Sequence, residues 1–123
     1  MMKKIIVVDD IEDYLDAIEM MLSNEYEIFK ARNLKEAIEI LEKEEIDVAI
    51  IDIRLDENDP SNRDGLKILK WLRENRPSIL PIVMSAYREF DYAVDALNLG
   101  AKYFLKKPIN PKELKEVIEK YIK

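Results

Sequence analysis

The feature that most constrains the fold is an apolar, largely β-branched run that ends on an acid, Ile46–Asp52. A run of this kind is typical of a strand that is buried on both faces of a parallel sheet. A second such run, Ile5–Val8, also stops on acids, at Asp9 and Asp10. Ligands of open α/β sheets bind at the carboxyl ends of the strands. If the two strands are neighbours, Asp9, Asp10 and Asp52 therefore converge on one crevice.

The composition excludes several kinds of chemistry. The 123 residues suit one domain, 1–123, and the formal net charge of −6 argues against a dedicated nucleic-acid surface. No cysteine is present, which excludes disulfides, thiolate zinc sites and a cysteine nucleophile. Histidine is absent too, so Ser-His catalysis and phosphohistidine within the chain are excluded. Any metal must then be a hard cation bound by oxygen. Because no apolar run is long enough to span a membrane, we expect a cytoplasmic protein.

Hydrophobic periodicity predicts five strands that alternate with five helices. The strands are expected at Lys3–Val8, Tyr26–Ala31, Ile46–Asp52, Leu80–Ser85 and Ala101–Leu105. The helices are expected from about Glu12 to Ser23, after the Asn33 cap, from Leu66 to before Pro77, at Glu89–Leu99 and after the Asn110 cap. The last helix is predicted to carry an apolar stripe of Leu114, Val117, Ile118 and Tyr121. With right-handed crossovers, this order predicts an α/β fold with a doubly wound parallel sheet covered on both faces.

Acids at adjacent strand ends repel one another unless a cation shares them. Carboxylate oxygens in an open, hydrated crevice suit Mg²⁺, which keeps several waters and needs few protein ligands. The alternative is that Asp9, Asp10 and Asp52 merely solvate their loops.

A cation is predicted at the same edge of the sheet. Lys107 follows the fifth strand and precedes Pro108, and an X-Pro bond in a tight turn is a candidate cis peptide. Ser85 ends the fourth strand and adds a hydroxyl. The alternative for Lys106-Lys107-Pro108 is an ordinary surface turn.

Together these positions resemble the receiver domain of bacterial two-component response regulators. The resemblance runs along the whole chain, in the order Val7–Asp10, Ile50–Arg54, Asp64–Leu66, Met84–Tyr87 and Gly100–Pro108. It implies a flavodoxin-like (βα)5 sheet of strand order 2-1-3-4-5, and a chain that is one domain or a piece of a longer regulator.

The resemblance also implies roles for individual residues. Asp52 is expected to accept a phosphoryl group as a carboxylate nucleophile. Asp10 is expected to bind Mg²⁺ or Mn²⁺ directly and Asp9 mainly through water, while Asp52 and the backbone carbonyl of Arg54 complete the protein ligands.

Three further residues belong to the implied switch. Lys107 would pair with the phosphoryl oxygens, Ser85 would move in to donate a hydrogen bond to them, and Phe104 would change rotamer with Ser85. The face made by the fourth helix, fifth strand and fifth helix would then change its affinity for partners. Phe104 stands where a Tyr is frequent in the family, and the adjacent Tyr103 makes the alignment ambiguous by one residue.

The resemblance and the lack of histidine together imply partners. The phosphoryl group must come from a sensor histidine kinase or a phosphotransfer protein, and the output lies in a downstream protein or a fused domain. A homodimer through the switch face is one option, and no direct contact with nucleic acid or membrane is expected. Apart from its own phosphorylation and dephosphorylation, no enzymatic activity is expected.

The loop of residues 55–63 departs from the family pattern, because the turn after the phosphorylated Asp is commonly much shorter. The simpler interpretation is a longer solvated loop. The sharper hypothesis is a lid or partner-selecting surface that alters metal affinity, since Asp56, Glu57 and Asp59 would lie beside the site.

Other functions fit the sequence less well. A nucleotide- or flavin-binding domain needs a glycine-rich loop after the first strand, and the only glycines are Gly65 and Gly100. An aspartyl-nucleophile phosphohydrolase would want a second carboxylate where Arg54 stands. A calcium-binding hand is disfavoured by Pro60, which takes the place of an oxygen ligand. A receiver-like docking module without phosphorylation remains open, although the acids and Lys107 favour the switch.

Overall fold

The computed structural model describes residues 2–86 and 90–122, except for the side chains of residues 90 and 91. The strands are β1 (Lys3–Val8), β2 (Tyr26–Ala31), β3 (Val48–Asp52), β4 (Leu80–Ser85) and β5 (Tyr103–Lys106). The helices are α1 (Glu12–Leu22), α2 (Leu34–Lys43), α3 (Asp64–Asn75), α4 (Phe90–Asn98) and α5 (Pro111–Ile122). The predicted start of α4 at Glu89 lies outside the described residues.

All neighbouring strands pair in parallel, in the order β2-β1-β3-β4-β5. The predicted doubly wound α/β fold, including its strand order, is confirmed. The register sets Val8 beside Ile51, so β1 and β3 end together at the centre of the sheet. This common end fixes where the residues that follow the two strands must lie.

Helices cover the two faces of the sheet and bury two apolar layers. Ile6, Val8 and Ile51 point into the layer that includes buried residues of α2, α3 and α4. Ile5 and Ile50 point into the layer with residues of α1 and α5. Strands whose side chains are buried on both faces are the expected result of near-continuous apolar runs.

Both predicted asparagine caps are present. The Asn33 side chain accepts a hydrogen bond from the Glu36 amide (2.9 Å), and Asn110 accepts one from the Glu113 amide (3.1 Å). Each cap satisfies an amide that a helix start otherwise leaves unpaired.

Several element boundaries and the position of one aromatic residue differ from the prediction. β3 begins at Val48 instead of Ile46. β5 begins at Tyr103 instead of Ala101, because the Ala101 amide closes α4 by donating to the Ala96 carbonyl (3.0 Å) after Gly100 at φ 104°. Tyr121, predicted to belong to the apolar stripe of α5, is 42% exposed, at the rim of a groove at the amino edge of the sheet. α3 begins at Asp64 rather than Leu66. Among the described residues, no helix has the length and apolarity needed to cross a membrane.

Candidate functional site

Three carboxylates meet at the carboxyl edge of the sheet, as the sequence predicts. Asp9 and Asp10 follow β1, Asp52 ends β3, and one oxygen from each lies within 4.8 Å of the others. The close approach follows from the parallel register of two adjacent strands, in which Val8, directly before Asp9, is paired with Ile51, directly before Asp52.

The Lys107 ammonium lies inside this cluster. Its Nζ atom is 2.6 Å from Oδ2 of Asp9 and 3.1 Å from Oδ2 of Asp52. The Lys107 amide donates to the Ser85 carbonyl (2.9 Å), which ties the segment after β5 to the end of β4. The Lys107–Pro108 peptide bond, the candidate named above, is cis. The ring centroid of Tyr14 lies 3.9 Å from Nζ, at cation–π distance.

The cluster is buried, and burial dominates its electrostatics. Asp9 is 0% exposed, Asp52 6% and Lys107 8%. Burial raises the pKa of Asp52 to about 7 even though the Lys107 charge opposes the shift. Burial likewise raises the pKa of Asp9. Burial by itself would lower the pKa of Lys107, but Asp52 and Asp9 outweigh it and raise that pKa. Three acids therefore share one ammonium, and their negative charge is incompletely compensated.

The donor set fits a hard divalent cation. The cluster offers only oxygen ligands, which are those that Mg²⁺ prefers. Oδ2 of Asp9 is buried and receives no hydrogen bond of acceptable geometry from the described residues, although the Lys107 ammonium lies close to it. Oδ2 of Asp10 accepts a hydrogen bond from the Glu57 amide (2.7 Å). A bound cation would supply a partner for the buried Oδ2 atom of Asp9.

A small cavity of about 80 Å³ opens onto this cluster. Its lining consists of Asp10, Ile11, Tyr14, Asp52, Arg54, Glu57, Ala86 and Lys107. A much larger cavity, of about 570 Å³, lies at the opposite, amino edge of the sheet between α3 and the segment after α4. The larger cavity has no acidic lining residue, so the chemistry points to the smaller one.

The chain is similar to known signalling proteins along nearly its whole length. The family of the response regulator receiver domain matches residues 5–119. This chain belongs to that family. Regulatory protein VanR from Enterococcus faecium is 36% identical over 116 residues, which make up 93% of this chain and 47% of VanR.

Two further relatives match the receiver domain over almost their full length. Sporulation initiation phosphotransferase F from Bacillus subtilis is 30% identical over 99% of this chain and 95% of its own length. A CheY-like receiver domain protein from Methanospirillum hungatei JF-1 has a crystal structure that superposes with a TM-score of 0.88. It is 31% identical and covers 98% of this chain and 93% of its own. The receiver domain thus spans about half of VanR and nearly all of the other two.

Gly65 allows the receiver domain to close α3 tightly against the end of β3. Its amide donates to the Ile53 carbonyl (2.9 Å), and a Cβ atom at this position would lie 2.1 Å from the Asp52 carbonyl oxygen. Any side chain here would therefore displace the backbone that carries Asp52.

The structure places the other predicted site residues at different distances from the cavity. Arg54 lines the cavity. Ser85 is buried (3% exposed) at the end of β4, but Ala86, rather than Ser85, lines the cavity. Phe104 is half-buried and packs against the apolar layer that contains α4 residues. The structure therefore brings Asp9, Asp10, Asp52 and Lys107 together. Ser85, at the end of β4, and Phe104, in β5, lie outside the lining of the cavity.

Two contributors to the site, Tyr14 and Glu57, were not predicted from the sequence. Tyr14 lies in the first turns of α1, one turn before the buried Ile18, so its half-buried position could have been anticipated from the periodicity. Glu57 contributes a backbone amide, and no side-chain pattern signals such a contact.

Proposed function

We propose that this receiver domain accepts a phosphoryl group on Asp52, with Mg²⁺ or Mn²⁺ bound beside it, and thereby switches a protein-binding surface. The observation that carries the proposal is the small cavity in which Asp52, Asp10 and Lys107 meet. Phosphoryl transfer asks a protein chiefly for positioning and for positive charge around the phosphoryl oxygens.

Asp52 is the carboxylate best placed to act as the nucleophile. It lines the cavity, whereas Asp9 is fully buried and does not line it. Asp10 also lines the cavity, but one of its oxygens already accepts the Glu57 amide. In the proposed transfer from a phosphohistidine of a partner protein, an Asp52 oxygen forms a bond to phosphorus while the bond from phosphorus to the imidazole nitrogen of the donor breaks. The donor imidazole keeps the bonding electron pair and takes up a proton.

The metal would be held by Asp10, Asp9 and Asp52, with the backbone carbonyl of Arg54 as a further ligand. When bound, a divalent cation neutralises charge that develops on the phosphoryl oxygens. Lys107 would supply a second positive charge, 3.1 Å from the Asp52 carboxylate.

The switch would run from the site along β4 and β5 to the surface. Ser85 would donate a hydrogen bond to the phosphoryl group, and Phe104 would change rotamer with it. The side chain of Phe104 packs against a layer that includes Ala96 of α4. A rotamer change there would alter the face made by α4, β5 and α5, where a partner or a second copy of the chain would dock.

The phosphoryl donor would be a histidine kinase or a phosphotransfer protein, because the chain contains no histidine. The output would lie in a downstream protein or in a fused domain. We further propose that residues 1–123 form one domain, that it works in the cytoplasm without contacting nucleic acid directly, and that it turns over no separate substrate.

Intact-mass measurement after incubation with acetyl phosphate and Mg²⁺ tests the proposal. We expect the mass of one added phosphoryl group on the wild type and on Asp13→Asn, a control at an exposed acid of α1. We expect none on Asp52→Asn, and none on any variant after chelation of the metal. No adduct on the wild type would favour a docking module, and an equal adduct on Asp52→Asn would overturn the role of Asp52.

A further inference from the structure

The long loop of residues 55–63 directly contacts Asp10, one of the proposed metal ligands. The Glu57 amide donates a hydrogen bond of 2.7 Å to Oδ2 of Asp10. The donor follows β3 and the acceptor follows β1, so the bond joins two segments that are 47 residues apart. The contact uses the backbone, and the loop acids Asp56, Glu57 and Asp59 are exposed.

The loop is built so that this amide is held in place. Oδ1 of Asn62 accepts from the amides of both Leu55 and Asp64 (3.0 Å each), which closes the two ends of the loop on one side chain. Leu55 is only 6% exposed and anchors the first residue in the apolar layer. Within the loop, the Asp59 amide donates to the Asp56 carbonyl (3.0 Å).

Arg63 fastens the far end of the loop to α4. Its guanidinium carbon lies 3.8 Å from the centroid of the Tyr92 ring, in cation–π contact. Nη1 of Arg63 also donates to the carbonyls of Pro60 (2.9 Å) and Asn62 (2.7 Å). The same side chain therefore binds the loop backbone and the surface of α4.

We propose that loop 55–63 is a positioning element for Asp10, in which the Glu57 amide holds one carboxylate oxygen and leaves the other for the divalent cation. The Arg63–Tyr92 contact keeps the loop in this position. The inference rests on the proposed function, because it takes Asp10 to be a metal ligand. Hydrogen bonds to ligating carboxylates orient them, and their loss commonly weakens metal binding.

A pair of variants at one position isolates the amide. Glu57 is the second residue of the turn closed by Asp56 and Asp59, a position that proline favours, and none of the described non-glycine residues has a positive φ. Glu57→Pro removes the amide hydrogen together with the side-chain charge. Glu57→Ala removes the same charge and keeps the amide hydrogen. Because the turn already suits proline at this position, the difference between the two variants chiefly reports the loss of the hydrogen bond.

The measurement is Mg²⁺ affinity by isothermal titration calorimetry, with no phosphodonor present. We expect Glu57→Pro to bind Mg²⁺ about tenfold more weakly than Glu57→Ala. Thermal melts without divalent cation are the control, and we expect them to be alike for the two variants. A purely structural defect would instead lower the melting temperature of Glu57→Pro and leave the ratio of the two Mg²⁺ affinities unchanged.

A second pair tests the anchor on α4 and does not depend on the proline variant folding. Tyr92→Leu removes the ring under Arg63, and Tyr92→Phe keeps it. We expect Tyr92→Leu to bind Mg²⁺ about threefold more weakly than Tyr92→Phe, since a loosened loop loses part of the orienting effect.

Equal Mg²⁺ affinity for Glu57→Pro and Glu57→Ala would overturn the positioning role. Equal affinity for Tyr92→Leu and Tyr92→Phe would overturn the anchor. If the wild type is phosphorylated and binds Mg²⁺, either result refutes the role of the loop but leaves the proposed function standing. If the wild type neither binds Mg²⁺ nor is phosphorylated, the proposed function fails as well.

Discussion

Two ionic clusters lie at the carboxyl edge of the same sheet and differ in almost every physical respect. In the exposed cluster, Arg32 after β2 donates two hydrogen bonds of 2.7 Å to the two oxygens of Glu12. In the buried cluster, Lys107 approaches Asp9 and Asp52 at 2.6 and 3.1 Å. The exposed pair has the more regular geometry, yet both of its side chains are about half accessible to water.

The pKa values of the acids move in opposite directions in the two clusters. The hydrogen bonds from Arg32 lower the pKa of Glu12, so that pair favours the ionised forms. Burial raises the pKa of Asp52 to about 7; Asp9 and Asp10 add to the shift, and the Lys107 charge opposes it only in part. The fully paired charges of Arg32 and Glu12 therefore indicate a structural contact. The incompletely neutralised, buried carboxylates around Lys107 indicate the place where a cation and a phosphoryl group can be bound.

The largest expected effect is at the buried ammonium. Lys107→Met keeps much of the side-chain volume and leaves the carboxylates without a cation. We expect it to lower the free energy of unfolding by about 3 kcal/mol, measured by urea denaturation without divalent cations. A loss below about 1 kcal/mol would show that the buried cluster behaves like a surface pair.

Mg²⁺ should stabilise the buried cluster and leave the exposed one unaffected. At a concentration a hundred times its dissociation constant, a ligand that binds only the folded state adds about 2.7 kcal/mol to the free energy of unfolding. We expect this gain in the wild type and in Arg32→Gln, and most of it to be lost in Asp52→Asn. An equal gain in Asp52→Asn would place the cation elsewhere.

Without metal, Asp52→Asn should make the protein more stable. The substitution removes one of three mutually repelling acids and keeps the shape of the side chain, so we expect a gain of about 1 kcal/mol. Urea denaturation in the presence of a chelator measures it, with Asp13→Asn as the exposed control. A loss of stability would mean that the bond to Lys107 outweighs the repulsion.

The smallest effect is expected at the exposed pair. Arg32→Gln should lower the melting temperature at neutral pH by only about 1–2 °C, and less in high salt. The pKa of Glu12 is lowered from its ordinary 4.5 in the folded state, so the stabilising effect of the pair is present above that pH. It is lost as the pH falls through the lowered pKa, and wild-type and variant melting temperatures should converge in acid. A difference that persists there would contradict this origin.

Short-range patterns predict the strands, because apolar runs define them and parallel strands end at one edge. The meeting of Asp9, Asp10 and Asp52 also requires that β1 and β3 be neighbours, an order that the family resemblance implies and the register confirms. The Glu57 amide on Asp10 could not be predicted, since it depends on the path of a loop with no periodicity. The exposure of Tyr121 was not predicted, because helical spacing reports which side a residue faces but not where the covering elements stop.

The most direct test of the central claim is to locate the phosphoryl group on the chain. Borohydride reduces an aspartyl phosphate to homoserine, which peptide mass spectrometry can place at a single residue. After incubation with acetyl phosphate and Mg²⁺, we expect homoserine at position 52, the cavity acid whose carboxylate lies 3.1 Å from the Lys107 ammonium. Homoserine at position 9 or 10, or at none of the three, would contradict it.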